Sequence, residues 1–139
     1  MLKLLSHILI TVFMLGSILL DSAPSPAAPA LVARGSDVAG VYVVVTPATV
    51  GQGVALWEFQ IVMDTHTKPL NEDLARAAVL IDDAGHRSAP VAWKGDPPGS
   101  HHRKGVLQFA APAGTPAAIE LQIDGVGGPG TRTFRWQLK

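Results

Sequence analysis

Between Ala55 and Asp64 a large apolar side chain stands at every second position: Trp57, Phe59, Ile61 and Met63, with Glu58, Gln60 and Asp64 on the opposite parity. Residues two apart share one face of a strand, whereas a helix would split these four between opposite sides. The same period returns at Ala118–Asp124, where Ile119, Leu121 and Ile123 alternate, and at Thr131–Leu138, where Phe134, Trp136 and Leu138 alternate with Thr133, Arg135 and Gln137. Val41–Thr46 is apolar on both faces and rich in β-branched residues, which suits a strand. Ala77–Asp82 and Ala89–Lys94 read as a hairpin closed by Asp83–His86, and Gly105–Ala110 as a further strand. Asn71–Ala78 fits one helical turn or two, with Asn71 as N-cap and Glu72 and Asp73 in the first turn. Short alternating runs separated by Gly, Pro and Asp turns predict an all-β domain over residues 38–139: an immunoglobulin-like antiparallel β-sandwich of about seven strands. Apart from Phe13, the Trp and Phe residues fall at core-facing parity, so their expected work is packing.

The first 30 residues follow a different logic. Met1–His7 carries one Lys and no acid, Ile8–Leu20 is an apolar run of 13 residues, and Ala, Pro and Ser dominate Ser22–Ala33. That order predicts a secretory signal peptide helix, cleaved after Ala27 or Ala30, with Pro24–Pro29 as an extended linker. The alternative is an uncleaved anchor, and only then would the chain contact the membrane. A periplasmic or secreted location follows. The 139-residue chain has no Cys, so disulfides, thiolate metal sites and lipidation of a leader Cys are excluded. Eleven basic against eleven acidic residues argue against a nucleic-acid binder.

If consecutive strands alternate in direction, one end of the sandwich gathers Asp64, Thr65, His66, Glu72, Asp73, His101, His102 and Arg103, and His86 lies at the other end. Asp64, His66, His101 and His102 are the candidate metal ligands. Imidazole and carboxylate without thiolate suit zinc or oxidised copper. Asp64 and His66 leave one face of a continuing strand; His101 and His102 can both converge only from a loop. The competing reading is structural: Asp64 caps the turn after its strand, His66 donates to a carbonyl, and Asp64 or Glu72 pairs with Arg103 to pin a long loop. A protein partner in the cell envelope is a further expectation, with Val41–Thr46 as an edge strand open to pairing.

Other motifs fail on context. Gly125-Val126-Gly127-Gly128-Pro129-Gly130 matches G-x-G-x-x-G but joins strand to strand, where a dinucleotide fingerprint needs a helix. Ser100 beside His101 is no nucleophile elbow, and Asp82-Asp83 belongs to a turn. No acid–base pair or activated nucleophile can be named, so no enzymatic activity is expected.

The segments Trp57-Glu58-Phe59, Asp64-Thr65-His66, Ala92-Trp93-x-Gly95, His101-His102-Arg103-x-Gly105-x-Leu107-x-Phe109 and Phe134-x-Trp136-x-Leu138 occur in this order. Together they resemble a family of small exported prokaryotic proteins, over Tyr42 to Leu138. The resemblance implies export and one β-rich domain, supplies no chemistry, and singles out Asp64, His66, His101, His102 and Arg103 as motif positions. Relatives of this kind look like lipoproteins; this chain departs from them in lacking the lipidated Cys.

Overall fold

The computed structural model describes residues 31–139; the expected signal peptide and linker lie outside them. Nine strands and one helical turn follow in order: β1 Arg34–Val38, β2 Val41–Thr49, β3 Leu56–Thr65, α1 Leu74–Ala77, β4 Ala78–Asp82, β5 Arg87–Ser88, β6 Ala92–Gly95, β7 His102–Ala110, β8 Ala118–Asp124 and β9 Thr131–Gln137. They form two antiparallel sheets, ordered β1-β2-β3-β7-β6 and β5-β4-β8-β9. An all-β sandwich is therefore the architecture, with β1 and the two-residue β5 beyond the seven strands expected. β1 also brings residues before 38 into the first sheet.

The alternation sorts side chains as the sequence requires. Trp57, Phe59, Ile61 and Met63 are buried, as are Ile119, Leu121, Ile123, Phe134 and Trp136 from the facing sheet. Phe59 meets Phe109 edge-on and Trp136 at a tilt, both with ring centroids 5.8 Å apart. Each such side chain contributes about 1.5–3 kcal/mol by leaving water, so this two-sided stripe is the main stabilising term. Leu70, Leu74 and Val126 close one end of the core.

Three details differ from expectation. Ala89–Lys94 does not fold back on β4. Only Arg87 and Ser88 pair there, and the chain then crosses so that β6 joins β7 in the other sheet. Pro90 has no N–H to extend the β4 ladder, and the Val91 N–H instead donates to Gln108 O at 2.7 Å. Next, β2 is not an edge strand, because β1 covers it from Arg34↔Val45 to Val38↔Val41. Finally, the helix is a single turn capped by Asp73, whose side chain accepts from the Ala75 N–H, and not by Asn71. The backbone before Asp73 is already committed: Leu70 exchanges hydrogen bonds with Gly99 and Ser100, and Glu72 O accepts from Arg103.

The open edge of β1 is blunted by side chains of β9. Trp136 Nε1 donates to Val32 O at 2.7 Å, and Arg132 donates to Ser36 O at 2.9 Å and Val38 O at 3.2 Å. An edge whose carbonyls are occupied is a poor template for a foreign strand.

Candidate functional site

Strand directions bring the β3–α1 connection, the β6–β7 loop and the β8–β9 loop to one end, as the sequence predicts, together with the unexpected β1–β2 turn. His86 sits at the opposite end. There Asp82 accepts from the backbone N–H groups of Ala84 and His86 and lies 2.9 Å from His86 Nδ1. Asp83 accepts from Ala117 N–H across that same end. Desolvation works to raise the Asp82 pKa, but the His86 side chain and the two backbone donors outweigh it, so the net shift is downward.

At the histidine-rich end, the β3–β7 register sets Asp64 directly opposite His102. Their inward neighbours Met63 and Arg103 are buried, so both side chains leave the outer face of the five-stranded sheet. Asp64 Oδ1 lies 2.8 Å from His102 Nδ1. That oxygen is shielded from solvent and has no aligned hydrogen bond to any group, the histidine at 2.8 Å included. His66 follows the end of β3, where the Thr65 hydroxyl accepts from the Thr67 N–H and lies 3.2 Å from the Thr67 hydroxyl, bending the chain. Its ring stands edge-on to that of His102, centroids 6.1 Å apart.

His102 therefore approaches Asp64 on one side and His66 on the other, and His101 takes a different course. Its carbonyl accepts from the Thr65 N–H at 3.0 Å, which continues the β3–β7 ladder through residue 101. Along a continuing ladder, alternation assigns His101 and His102 to opposite faces. Among the described residues, no three His, Asp or Glu side chains are gathered as a ready ligand set.

Loop fastening at this end falls to two buried arginines. Arg103, on the inward face of β7, donates to the carbonyls of Leu70, Glu72 and Asp96, and its guanidinium lies 5.8 Å from the centre of the Trp93 ring. The expected carboxylate partner is replaced by carbonyls, because the loop backbones pass closer to the guanidinium than any acid does. Arg132, at the same inward parity on β9 as Phe134 and Trp136, donates to Ser36, Val38 and Val126 carbonyls. Burial pushes both guanidinium pKa values down. Glu72, Asp96 and Asp73 oppose this for Arg103, as do Asp37 and Glu72 for Arg132. Arg132 was legible as a polar residue on an otherwise apolar stripe, but its carbonyl partners come from the distant β1 and could not be read locally.

Trp93 is half-buried rather than in the core. Its Nε1 donates to Asp96 O at 3.1 Å, and its ring lies over Gly95 and Gly105. The W-x-G and R-x-G segments are thus one packed unit. The Gly125–Gly130 segment is the β8–β9 turn, closed by Gly125 N–H to Gly130 O. Compared with known proteins, the chain matches no protein-family model, no curated protein and no solved structure.

Proposed function

We propose that this domain is an exported β-sandwich module that binds a divalent transition metal, zinc or copper(II), through His66 and His102, with Asp64 orienting His102. The observation that carries the reading is the 6.1 Å separation of the two imidazole centroids beside a solvent-shielded carboxylate oxygen. With metal–nitrogen bonds of about 2 Å and each ring centre roughly 1 Å beyond its nitrogen, two imidazoles at the tetrahedral angle on one ion have centroids about 5 Å apart. The observed 6.1 Å is about 1 Å wider, so binding requires the two rings to turn toward each other. Asp64 Oδ1 lies 2.8 Å from His102 Nδ1 without an aligned hydrogen bond; a turn of the His102 ring that let it accept from Nδ1–H would leave Nε2 free to bind, as outer carboxylates do for metal-bound histidines. His101 drops out of the ligand set. Export rests on the leader-like residues 1–30 and on the motif resemblance to exported proteins.

Titration of the chelator-treated protein with zinc and with copper(II), followed by calorimetry and by melting temperature, tests this. Binding is expected to raise the melting temperature, since a ligand taken only by the native state stabilises it. His66→Ala and His102→Ala each remove binding, His101→Ala keeps it, and Asp64→Asn weakens it about 10- to 100-fold. Undiminished binding by the His66/His102 double variant, or none by the wild type, overturns the reading.

A metal-independent envelope module, with its loops pinned, is the second reading. It is favoured by Arg103 and Arg132 already fastening this end without the histidines. Partner capture unchanged by chelator and by the double histidine variant would decide for it.

A further inference from the structure

We infer that the outer edge of β9 takes up an extended acidic segment of a partner protein, added as a further strand to the four-stranded sheet. This rests on the metal-independent reading above, to which it gives a partner chemistry and a place, and it does not involve the histidines.

The main chain carries the argument. Gly125 N–H donates to Gly130 O and Leu138 N–H to Ala117 O, and the β8–β9 register runs unbroken between these two pairs. In an antiparallel ladder, hydrogen-bonded pairs recur at every second residue. Arg132, Phe134 and Trp136 therefore turn their N–H and C=O groups to β8, and Thr133, Arg135 and Gln137 turn theirs away from it. β9 ends the order β5-β4-β8-β9, and among the described residues no hydrogen bond reaches those outward main-chain groups. The other sheet edges offer less. Carbonyls of β1 are occupied by Arg132, β6 spans four residues and β5 two, against seven for β9. With no proline and with threonine and aromatic residues throughout, β9 keeps an extended edge along its length.

Beside the middle of this edge lies a groove of about 420 Å3 lined by Arg34, Gly35, Thr133, Phe134 and Arg135. Arg132 and Trp136 reach β1 and Val32 on either side of it. A strand laid along β9 borders the groove, and its alternate side chains point into it. No acid lines the groove. Arg135 shares its charge with Glu120, whereas Arg34 is exposed and has no ion pair among the described residues. Acidic side chains on the added strand meet that charge. A second copy suits the edge poorly, because antiparallel β9–β9 pairing about Phe134 brings the two Arg34 side chains toward each other. The same arginine thus opposes self-pairing and favours an acidic strand.

Hydrogen exchange and amide NMR shifts on the purified chain test this, with a peptide alternating valine and glutamate, matched to the seven residues of β9, as the probe. Without peptide, the Thr133, Arg135 and Gln137 amides exchange fast and those of Arg132, Phe134 and Trp136 slowly. Saturating peptide slows the first set by about tenfold or more. Thr133→Pro removes an edge N–H and no ladder bond, and abolishes binding. Arg34→Glu, which leaves the edge main chain intact, weakens binding about fivefold. Equal binding of the same peptide with lysine for glutamate overturns the acidic partner. No binding, or binding that leaves the three edge amides fast, overturns the edge itself; chelator-independent partner capture that survives this result leaves the metal-independent reading standing. Slow exchange of those amides before peptide is added also overturns the inference, in favour of a second copy if light scattering gives a dimer and of residues 1–30 if it gives a monomer.

Discussion

Gly95 and Gly105 oppose each other across β6 and β7 so closely that a Cβ on Gly105 would lie 2.5 Å from Gly95 Cα and 2.8 Å from the Trp93 ring. The indole fills the space that two side chains would otherwise occupy, and Arg103 packs near its face. The two glycines, the tryptophan and the arginine therefore depend on one another.

Gly105→Ala should destabilise the fold by about 2 kcal/mol or more, since an extra methyl in a closed contact forces backbone or ring displacement. Urea unfolding followed by tryptophan fluorescence reads both the loss and the movement of Trp93. Unchanged stability would show that the β6–β7 approach is looser than the geometry states.

Arg103→Met keeps the volume of the stem but removes the donor to the carbonyls of Leu70, Glu72 and Asp96; Leu70 O keeps the Gly99 N–H and Asp96 O keeps Trp93 Nε1, so the Glu72 carbonyl is the one left stranded. An unpaired buried polar group costs about 1–3 kcal/mol, so a loss of about 2 kcal/mol is expected. Arg103→Lys should recover only part of it, because one ammonium cannot span the positions that the guanidinium fork reaches. Equilibrium unfolding of the three proteins ranks them. Equal stability of Met and Arg variants would remove Arg103 as the fastener of these loops.

Asp73→Ala should cost about 1 kcal/mol by removing the cap of α1, whereas Asn71→Ala should stay within about 0.5 kcal/mol. The reverse ranking in thermal unfolding would return the cap to Asn71.

Asp82 gives a signed pH dependence. Its folded pKa lies below its ordinary value: desolvation raises it, and hydrogen bonds from His86 and Ala84 more than compensate. A depressed carboxylate pKa contributes stability that is fully present above the ordinary aspartate range and is lost as pH falls through the lowered folded value. Glu120 carries the same sign, through its hydrogen bond from Arg135. Asp82→Asn should therefore be less stable than wild type at neutral pH, with the gap closing only in strong acid. A gap that widens on acidification would reverse the sign.

The strands and their inner faces were legible because alternation is local: each side chain's face is set by its own parity, and burial then selects one face as core. That is why Trp57 through Met63, Ile119 through Ile123, and Phe134 with Trp136 lie where the sequence puts them. The grouping of loops at two ends followed from counting strand directions, so Asp64, His66 and His102 could be expected together.

Pairing is a different matter, because it depends on partners far along the chain. Nothing near Ala92 states that β6 will leave β4 for β7, or that β1 will cover β2. Register between β3 and β7 placed Asp64 against His102 and extended the ladder through His101, which separated two histidines that adjacency had joined. Arg103 and Arg132 likewise occupy core-facing positions that their charge argues against. They are tolerated there only because the folded chain brings loop carbonyls within reach of each guanidinium. Sequence alone determined seven of the nine strands, their faces and the polar end of this domain. Tertiary structure decided which strands pair and which polar groups meet, since those choices are made by hydrogen bonds between segments that no local pattern connects.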